Sequence, residues 1–247
     1  MEEILDNKNW FESWFDTPYY HLLYKNRNFK EAGFFIDNLI NYLAPPKDAF
    51  LLDACCGKGR HALFMNQLGF AVDAFDLSAN NIKHAKQYEN DKLHFFENDI
   101  RQPLNQHKYN IVFNLFTSFG YFDSEEDNFQ AIKALSGSLK KDGVLVIDFL
   151  NTQKAIDNMV SKEEKKVDDL TFKIKRKVKD GFIVKQISFE DKGRKFRFEE
   201  KVKALYQKDF TNYFNLAGLK LIKVAGDYQL NDFDIHTSDR LILFAKK

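Results

Sequence analysis

Hydrophobic and polar positions follow two different rhythms along this chain, and the rhythm changes near residue 150. In the first part, short apolar runs alternate with stretches of helical period. Residues 49–54, 70–75, 93–97, 109–116 and 144–150 read as strands, and the last two are apolar enough to be buried on both faces. Helical patterns fall between them. A helix end at 38–43 is stopped by Pro45-Pro46. A second helix runs over 59–68 to Gly69. A third starts at an N-cap, Ser78, and reaches about Tyr88. A fourth, capped by Asp123 or Ser124, runs through Leu139 to a turn at Asp142-Gly143. Strict alternation of this kind predicts an α/β protein with a doubly wound parallel sheet.

After Asn151 the period becomes two. Residues 170–178, 182–189 and 195–202 alternate apolar and polar side chains, with turn residues Asp180-Gly181 and Asp191-Lys192-Gly193 between them. That pattern predicts an antiparallel meander inserted after strand five. Residues 161–203 hold fifteen Lys/Arg and nine Asp/Glu, a local charge of +6. A solvated sheet face with lysine-guarded edges accounts for this. A basic lid over an acidic substrate, or a nucleic-acid contact, are the alternatives. Residues 206–216 then read as a helix ending at Gly218, and 219–225 and 240–245 as two final strands. The chain thus divides into segments 1–44, 45–151, 152–203 and 204–247.

With 247 residues and 44% hydrophobic content, the chain is long enough to bury a sizeable core. Its net charge of +1 gives no general pull towards nucleic acid or an anionic membrane. The two adjacent cysteines offer no disulfide framework and lack the paired spacing of a zinc site, so no metal is expected. No apolar run approaches bilayer length, and MEEILDNKNW lacks the basic-then-apolar pattern of a secretory leader. A reduced, cytoplasmic protein is the expectation.

Candidate chemistry concentrates in the turn after strand one, LLDACCGKGRHA. Gly57 and Gly59 carry no Cβ and let the backbone turn sharply beside a ligand. The following helix points free N–H groups into the same crevice. Gly57 to Ala62 fits the dinucleotide pattern G-x-G-x-x-G/A, with Asp76 at the ribose-binding distance, so a nicotinamide oxidoreductase is one reading. Asp53, however, closes the strand just before the turn and would repel a pyrophosphate; a carboxylate there suits a cationic ligand or an amine.

Asp53-Ala54-Cys55-Cys56-Gly57-Lys58-Gly59 resembles the first motif, (D/E)-x-G-x-G-x-G, of the class I S-adenosylmethionine (SAM) dependent methyltransferases, with Cys55 where the family usually has its first glycine. The resemblance implies a seven-stranded sheet whose last strand is antiparallel, and SAM as cofactor. It implies that Asp76, with Leu77, holds the ribose hydroxyls, because one carboxylate can accept both protons. A helix N-cap carboxylate is the alternative for Asp76. By the same resemblance Asn98, Asp99 and Ile100 meet the adenine, and Leu115 and Phe116 continue the cofactor wall. The N-terminal segment would be a helical lid, with Tyr19, Tyr20 and Tyr24 near the methionine part and Arg27 on its carboxylate, and the β insertion a substrate lid.

The segment 114–122, NLFTSFGYF, looks like that of small-amine methyltransferases, including glycine and aminosugar N-methyltransferases, and lacks the (D/N)-P-P-(F/Y) of many nucleobase-methylating enzymes. A small-molecule acceptor, amine or hydroxyl, is therefore expected, and nucleic acid is not. Tyr121, Asp148 and His236 are the candidate proton acceptors, with Asn151 a candidate for substrate selection. His61 is expected in first-helix packing and His21 in or near the lid. A catalytically silent SAM-binding scaffold stays open beside the enzyme.

Overall fold

Proline and glycine mark many of the breaks between elements. The computed structural model describes residues 3–4, 10–25 and 29–247. Strand β1 (Glu3–Ile4) precedes two short helices, α1 (Trp10–Trp14) and α2 (Pro18–Leu23). Thr17 caps α2 by accepting from the Tyr20 N–H, and Pro18 occupies the first turn, where its missing N–H costs nothing. Helix α3 (Phe29–Leu43) buries Phe35, Ile36 and Leu39 along one face, and Ala44 (φ 43) followed by Pro45 ends it.

The core sheet then builds in the expected order: β2 (Phe50–Ala54), α4 (Arg60–Gln67), β3 (Ala71–Asp76), α5 (Ala79–Ala85), β4 (Leu93–Glu97), β5 (Tyr109–Asn114), α6 (Glu125–Ser138) and β6 (Leu139–Leu150). Ser78 and Ser124 are the caps of α5 and α6, each accepting from a backbone N–H three residues on. Past α5 the chain tightens into a 3₁₀ turn over Lys86–Tyr88. Beyond β6 come α7 (Thr152–Asp157), β7 (Lys162–Val167), β8 (Leu170–Lys179), β9 (Phe182–Asp191), β10 (Arg194–Lys203), α8 (Gln207–Leu216), β11 (Lys220–Ala225) and β12 (Arg240–Lys246).

Seven strands pair in the order β11-β12-β6-β5-β2-β3-β4. The pairs from β6 to β4 are parallel, and β12 is antiparallel to both its neighbours, as the resemblance implied. Strand order reverses between β2 and β5, so a crevice opens at the carboxyl ends of these two strands. Successive residues feed opposite faces: Leu52, Val112 and Ile147 join one apolar cluster, and Leu51, Phe113 and Val146 the other.

The second sheet, β1-β10-β9-β8-β7, is antiparallel except for the short parallel pair β1–β10. Asp180-Gly181 and Lys192-Gly193 turn its hairpins with positive φ at both residues. Phe172, Ile187 and Phe198 face the same cluster as Trp14, whose ring lies 4.5 Å from that of Phe198.

Three sequence expectations need correction. Asp142-Gly143 does not precede β6 as a separate turn. It forms an irregularity inside the strand, with Asp142 at φ 64, because Leu139 already pairs with Tyr109 while Val144 pairs with Ile111. Strand β7 escaped the sequence reading because KEEKKV shows no apolar alternation. Helix α7 also went unread.

Candidate functional site

The turn between β2 and α4 is shaped by three residues with positive φ: Cys55 (64), Gly57 (56) and Gly59 (82). The first of these explains the family's preference for glycine at this position. A left-handed L-residue costs about 1–2 kcal/mol, and here Cys55 adopts that conformation. Burial pushes its thiol pKa well above the ordinary value, so it stays protonated. The Cys56 N–H donates to the Phe75 carbonyl at 2.8 Å, which ties the turn to the end of β3.

Asp53 does not line the crevice. Its side chain is 1% exposed beneath the turn, and Oδ2 accepts from the Ala62 N–H at 3.1 Å, so it caps the first turn of α4. Burial pushes its carboxyl up to about 7, against the pull of the Ala62 N–H and the Arg60 charge. Ala54 and Gly59 also lie off the crevice wall, which Cys55 and Gly57 do line. Gly59 is needed for close packing: a Cβ there would stand 2.5 Å from the Phe95 ring.

Asp76 sits at the end of β3 on the crevice wall. Oδ2 accepts from the Gly57 N–H at 2.8 Å and Oδ1 from the Ser78 N–H at 2.9 Å. Burial raises its pKa, and these N–H groups oppose the rise. The Asn81 side chain adds a third bond that also opposes the rise, which leaves the carboxylate one lone pair for a ligand hydroxyl. The helix cap belongs to Ser78, whose Oγ accepts from the Asn81 N–H at 3.0 Å. Leu77, Asn98, Asp99 and Ile100 continue the same wall. Burial works to raise the Asp99 carboxyl, but hydrogen bonds from the Arg101 side chain and N–H outweigh it and hold the group below its usual value. The guanidinium meets Asp99 side-on, at 3.0 Å from Nε and 2.5 Å from Nη2.

Beyond β5 the chain passes through Phe116 (φ 65) and Thr117 (φ 60) before Gly120. Asp148 of β6 holds this strained corner. Its Oδ2 accepts from the Phe116 N–H at 2.9 Å, its carbonyl accepts from the Thr117 N–H at 2.8 Å, and Oδ1 pairs with Arg240 Nε at 2.7 Å. Arg240 also donates to Thr117 Oγ1 at 2.9 Å. A carboxylate with no exposure and this many partners supports the corner and is off the crevice wall, so it is not the proton acceptor the sequence suggested. His236 is corrected too: it stands exposed in the β11–β12 connection, its N–H donating to Asp234 Oδ1 at 2.9 Å, away from the crevice. Asn151 spends its amide on the carbonyls of Ile235 and Ser238, which fixes that connection. Tyr121, by contrast, lines the crevice, donates to the Thr117 carbonyl and packs among Trp10, Phe11 and Phe15.

The far side is closed by the N-terminal helices and the second sheet. Tyr20 and Tyr24 line the crevice; Tyr19 faces away and donates to Asp191 at 2.9 Å. Arg27 lies outside the described residues. Asp16 bonds Ser78 and Asn80 at the start of α5, and Trp14 Nε1 and the Tyr24 hydroxyl both donate to Glu200 at 2.7 Å, so the helices are clasped at two edges. His61 is buried on α4 but touches the crevice, and burial lowers its pKa to about 3, leaving it neutral. Burial also lowers that of His21, with the Lys58 charge adding to it. Sequence reasoning missed Arg60, Arg176, Lys185, Glu200 and Arg240, all crevice residues. The signal for three of them was a charge at an inward position of an alternating strand.

The crevice holds about 650 Å³, within the range of small-molecule sites. The described residues fit SAM on two counts. Asp76 keeps a lone pair beside a glycine turn, and Trp10, which also lines the crevice, has in Nε1 a buried donor with no acceptor among the described residues.

Among known proteins, a model described as a methyltransferase domain matches residues 28–224. A glycine/sarcosine N-methyltransferase of Aphanothece halophytica is 29% identical over 151 residues, 59% of this chain and 54% of the relative. The chain therefore matches only about half the length of that relative. A dTDP-3-amino-3,4,6-trideoxy-alpha-D-glucopyranose N,N-dimethyltransferase of Streptomyces venezuelae is 24% identical over 73% of this chain and 79% of its own. In fold, the chain resembles an S-adenosylmethionine-dependent methyltransferase from Clostridium acetobutylicum, with TM-score 0.77 and 20% identity over 92% of this chain and 95% of that one. The domain match runs from α3 into β11 and takes in the glycine turn, Asp76 and the corner beyond β5, and with it the chain belongs to the S-adenosylmethionine-dependent methyltransferases.

Proposed function

We propose that the protein transfers a methyl group from SAM to the amine nitrogen of a small molecule. The observation that carries this reading is Asp76 on the crevice wall, oriented by the Gly57 and Ser78 N–H groups and the Asn81 side chain and keeping a lone pair for a ligand hydroxyl. In this reading Asp76 holds the ribose hydroxyls. Asn98, Asp99, Ile100 and Leu77 frame the adenine, and Cys55, Gly57, Tyr20 and Phe116 border the methionine part. When bound, SAM supplies a methyl group already activated on a sulfonium. The chain's own task is then alignment and exclusion of water.

Tyr121 is the residue proposed to orient the acceptor. Its hydroxyl donates to the Thr117 carbonyl, and a phenol oxygen is also an acceptor of the kind an amine N–H bonds. Trp10, Phe11 and Phe15 around it form a dry wall. Asp148 and Arg240 fix the corner from which Tyr121 projects. The amine reading is supported by the names of the glycine/sarcosine and aminosugar relatives and by the aromatic wall around Tyr121. Two buried, protonated thiols suit the reducing cytoplasm expected from sequence. Among the described residues no helix is long and apolar enough to cross a membrane.

The test is transfer of isotope-labelled methyl from SAM to a panel of small amines and their hydroxyl counterparts. Labelled amine products are expected. SAM binding with no labelled product from either half of the panel would favour a silent scaffold.

A further inference from the structure

The second sheet turns an alternating face towards the core and the crevice, and one rung of that face breaks the pattern. Ile174, Ile187 and Phe198 are register neighbours across β8, β9 and β10 and are at most 7% exposed. Two residues along each strand, on the same face, the same three strands place Arg176, Lys185 and Glu200, and the next rung of that face returns to Ile183 and Val202. All three charged residues line the crevice. Their side chains are 23%, 13% and 14% exposed. Charges at inward positions of a packed sheet face are costly, and two like charges directly opposite each other in an antiparallel pair destabilise it.

Glu200 and Tyr24 answer the Lys185 charge, whereas among the described residues Arg176 is answered at one nitrogen only. Glu200 lies 3.3 Å from Lys185, and Glu163 of β7 lies 3.0 Å from Arg176 Nη1. Arg176 spends Nη1 on Glu163 and on the Val160 carbonyl; among the described residues its Nε and Nη2 have no protein acceptor. A guanidinium with an open edge is a fork for a planar or tetrahedral anion. Arg176 and Lys185 stand directly opposite each other on this wall, so an anion held between them would meet both charges.

We propose that the Arg176–Lys185–Glu200 rung is the acceptor-recognition wall, and that the acceptor presents an anionic group, a carboxylate or a phosphate, to Arg176 and Lys185. Glu200 acts as a positioning residue. It fixes Lys185 and receives Trp14 and Tyr24, so the anion lies beneath the N-terminal helices. The inference rests on the amine-methyltransferase reading and adds the acceptor's second functional group. It also gives a use to the basic excess of residues 161–203 that a purely solvated face leaves without one.

The experiment compares matched acceptors with the full chain. Glycine against glycinamide reads a carboxylate, and O-phosphoethanolamine against ethanolamine reads a phosphate. The anionic member of one pair is expected to have kcat/KM about tenfold higher or more, the scale of one charge-assisted hydrogen bond. Arg176→Gln should abolish that preference chiefly through KM, and Arg176→Lys should retain part of it. Inorganic phosphate and acetate, titrated in the presence of S-adenosylhomocysteine (SAH), give a readout independent of turnover: saturable binding of one of them, weakened about tenfold by Arg176→Gln, is expected. Equal use of both members of each pair, a preference unchanged by Arg176→Gln, or no saturable binding of either anion overturns the proposal. SAH affinity is read separately. Its absence in the unaltered protein contradicts the reading of the cofactor site, whereas normal SAH affinity with indifference to anions contradicts the wall alone.

Discussion

Gly57 and Gly59 share a motif but do different work, and substituting each by alanine separates the two roles. Both have positive φ, so an alanine at either costs about 1–2 kcal/mol of backbone strain. At Gly59 the new Cβ would also lie 2.5 and 2.7 Å from two carbons of the Phe95 ring, which is itself 3% exposed and unable to retreat into solvent. Overpacking of that kind adds about 1–3 kcal/mol. The total for Gly59→Ala is thus about 2–5 kcal/mol. At about 2–4 °C per kcal/mol for a chain of this size, that lowers the melting temperature by roughly 4–20 °C. At Gly57 a Cβ meets nothing within 4 Å, so stability should fall by the strain alone, roughly 2–8 °C. Gly57 lines the crevice, though, and the added methyl takes ligand space, so SAH affinity should fall about tenfold or more, the effect of about 1.4 kcal/mol. Thermal melts and calorimetric titration with SAH read the two effects. A Gly59→Ala melt within 2 °C of the parent (about 1 kcal/mol or less) would refute the packing argument. Undiminished SAH affinity in Gly57→Ala would refute its placement at the ligand.

Four further outcomes follow from the same geometry. Asp76→Ala should raise the SAH dissociation constant about 10- to 100-fold, the scale of charge-assisted hydrogen bonds at 1.5–3 kcal/mol, while Asp76→Asn, which keeps one acceptor, should lose less; calorimetry decides, and unchanged affinity would misplace the ribose contact. Asp53 is held near 7 against a usual value of 3.8, so its contribution to stability is complete below about pH 4 and is lost as pH rises through about 7. Asp53→Asn should remove that loss, gaining on the parent by at most about 4 kcal/mol at pH 8, and parallel melting-versus-pH curves would contradict the assignment. Asp148→Ala leaves Arg240 buried without its carboxylate and should cost about 3–5 kcal/mol in denaturant unfolding, whereas His236→Ala, in an exposed turn, should leave both melting and methyl transfer within error. Tyr121→Phe should lower kcat more than it alters SAH affinity; equal losses in both would assign Tyr121 to the cofactor instead.

Much of the core sheet was legible because its signals are local. Strand β4 is bounded as the periodicity predicts, and Ser78 and Ser124 cap the helices their spacing suggested. The glycine turn announced the crevice because positive φ restricts residue choice. What stayed hidden depends on distant partners. Asp148 reads as a free acid until β12 brings Arg240 beside it from 92 residues away. Asp53 reads as a ligand carboxylate because nothing local tells which side of the turn its side chain takes; the start of α4 takes it. The Arg176–Lys185–Glu200 rung was dissolved in a lysine-rich stretch, since a strand with charges at both inward and outward positions looks solvated throughout. Only the register across three strands singles out these positions.

The central claim is that the crevice beside Gly57 and Asp76 is built for SAM and not for a dinucleotide. Titrating the purified protein with SAH and with NAD in parallel tests it most directly. The account predicts saturable one-site binding of SAH that Asp76→Ala weakens, and no heat from NAD; tight NAD binding with none for SAH would contradict it.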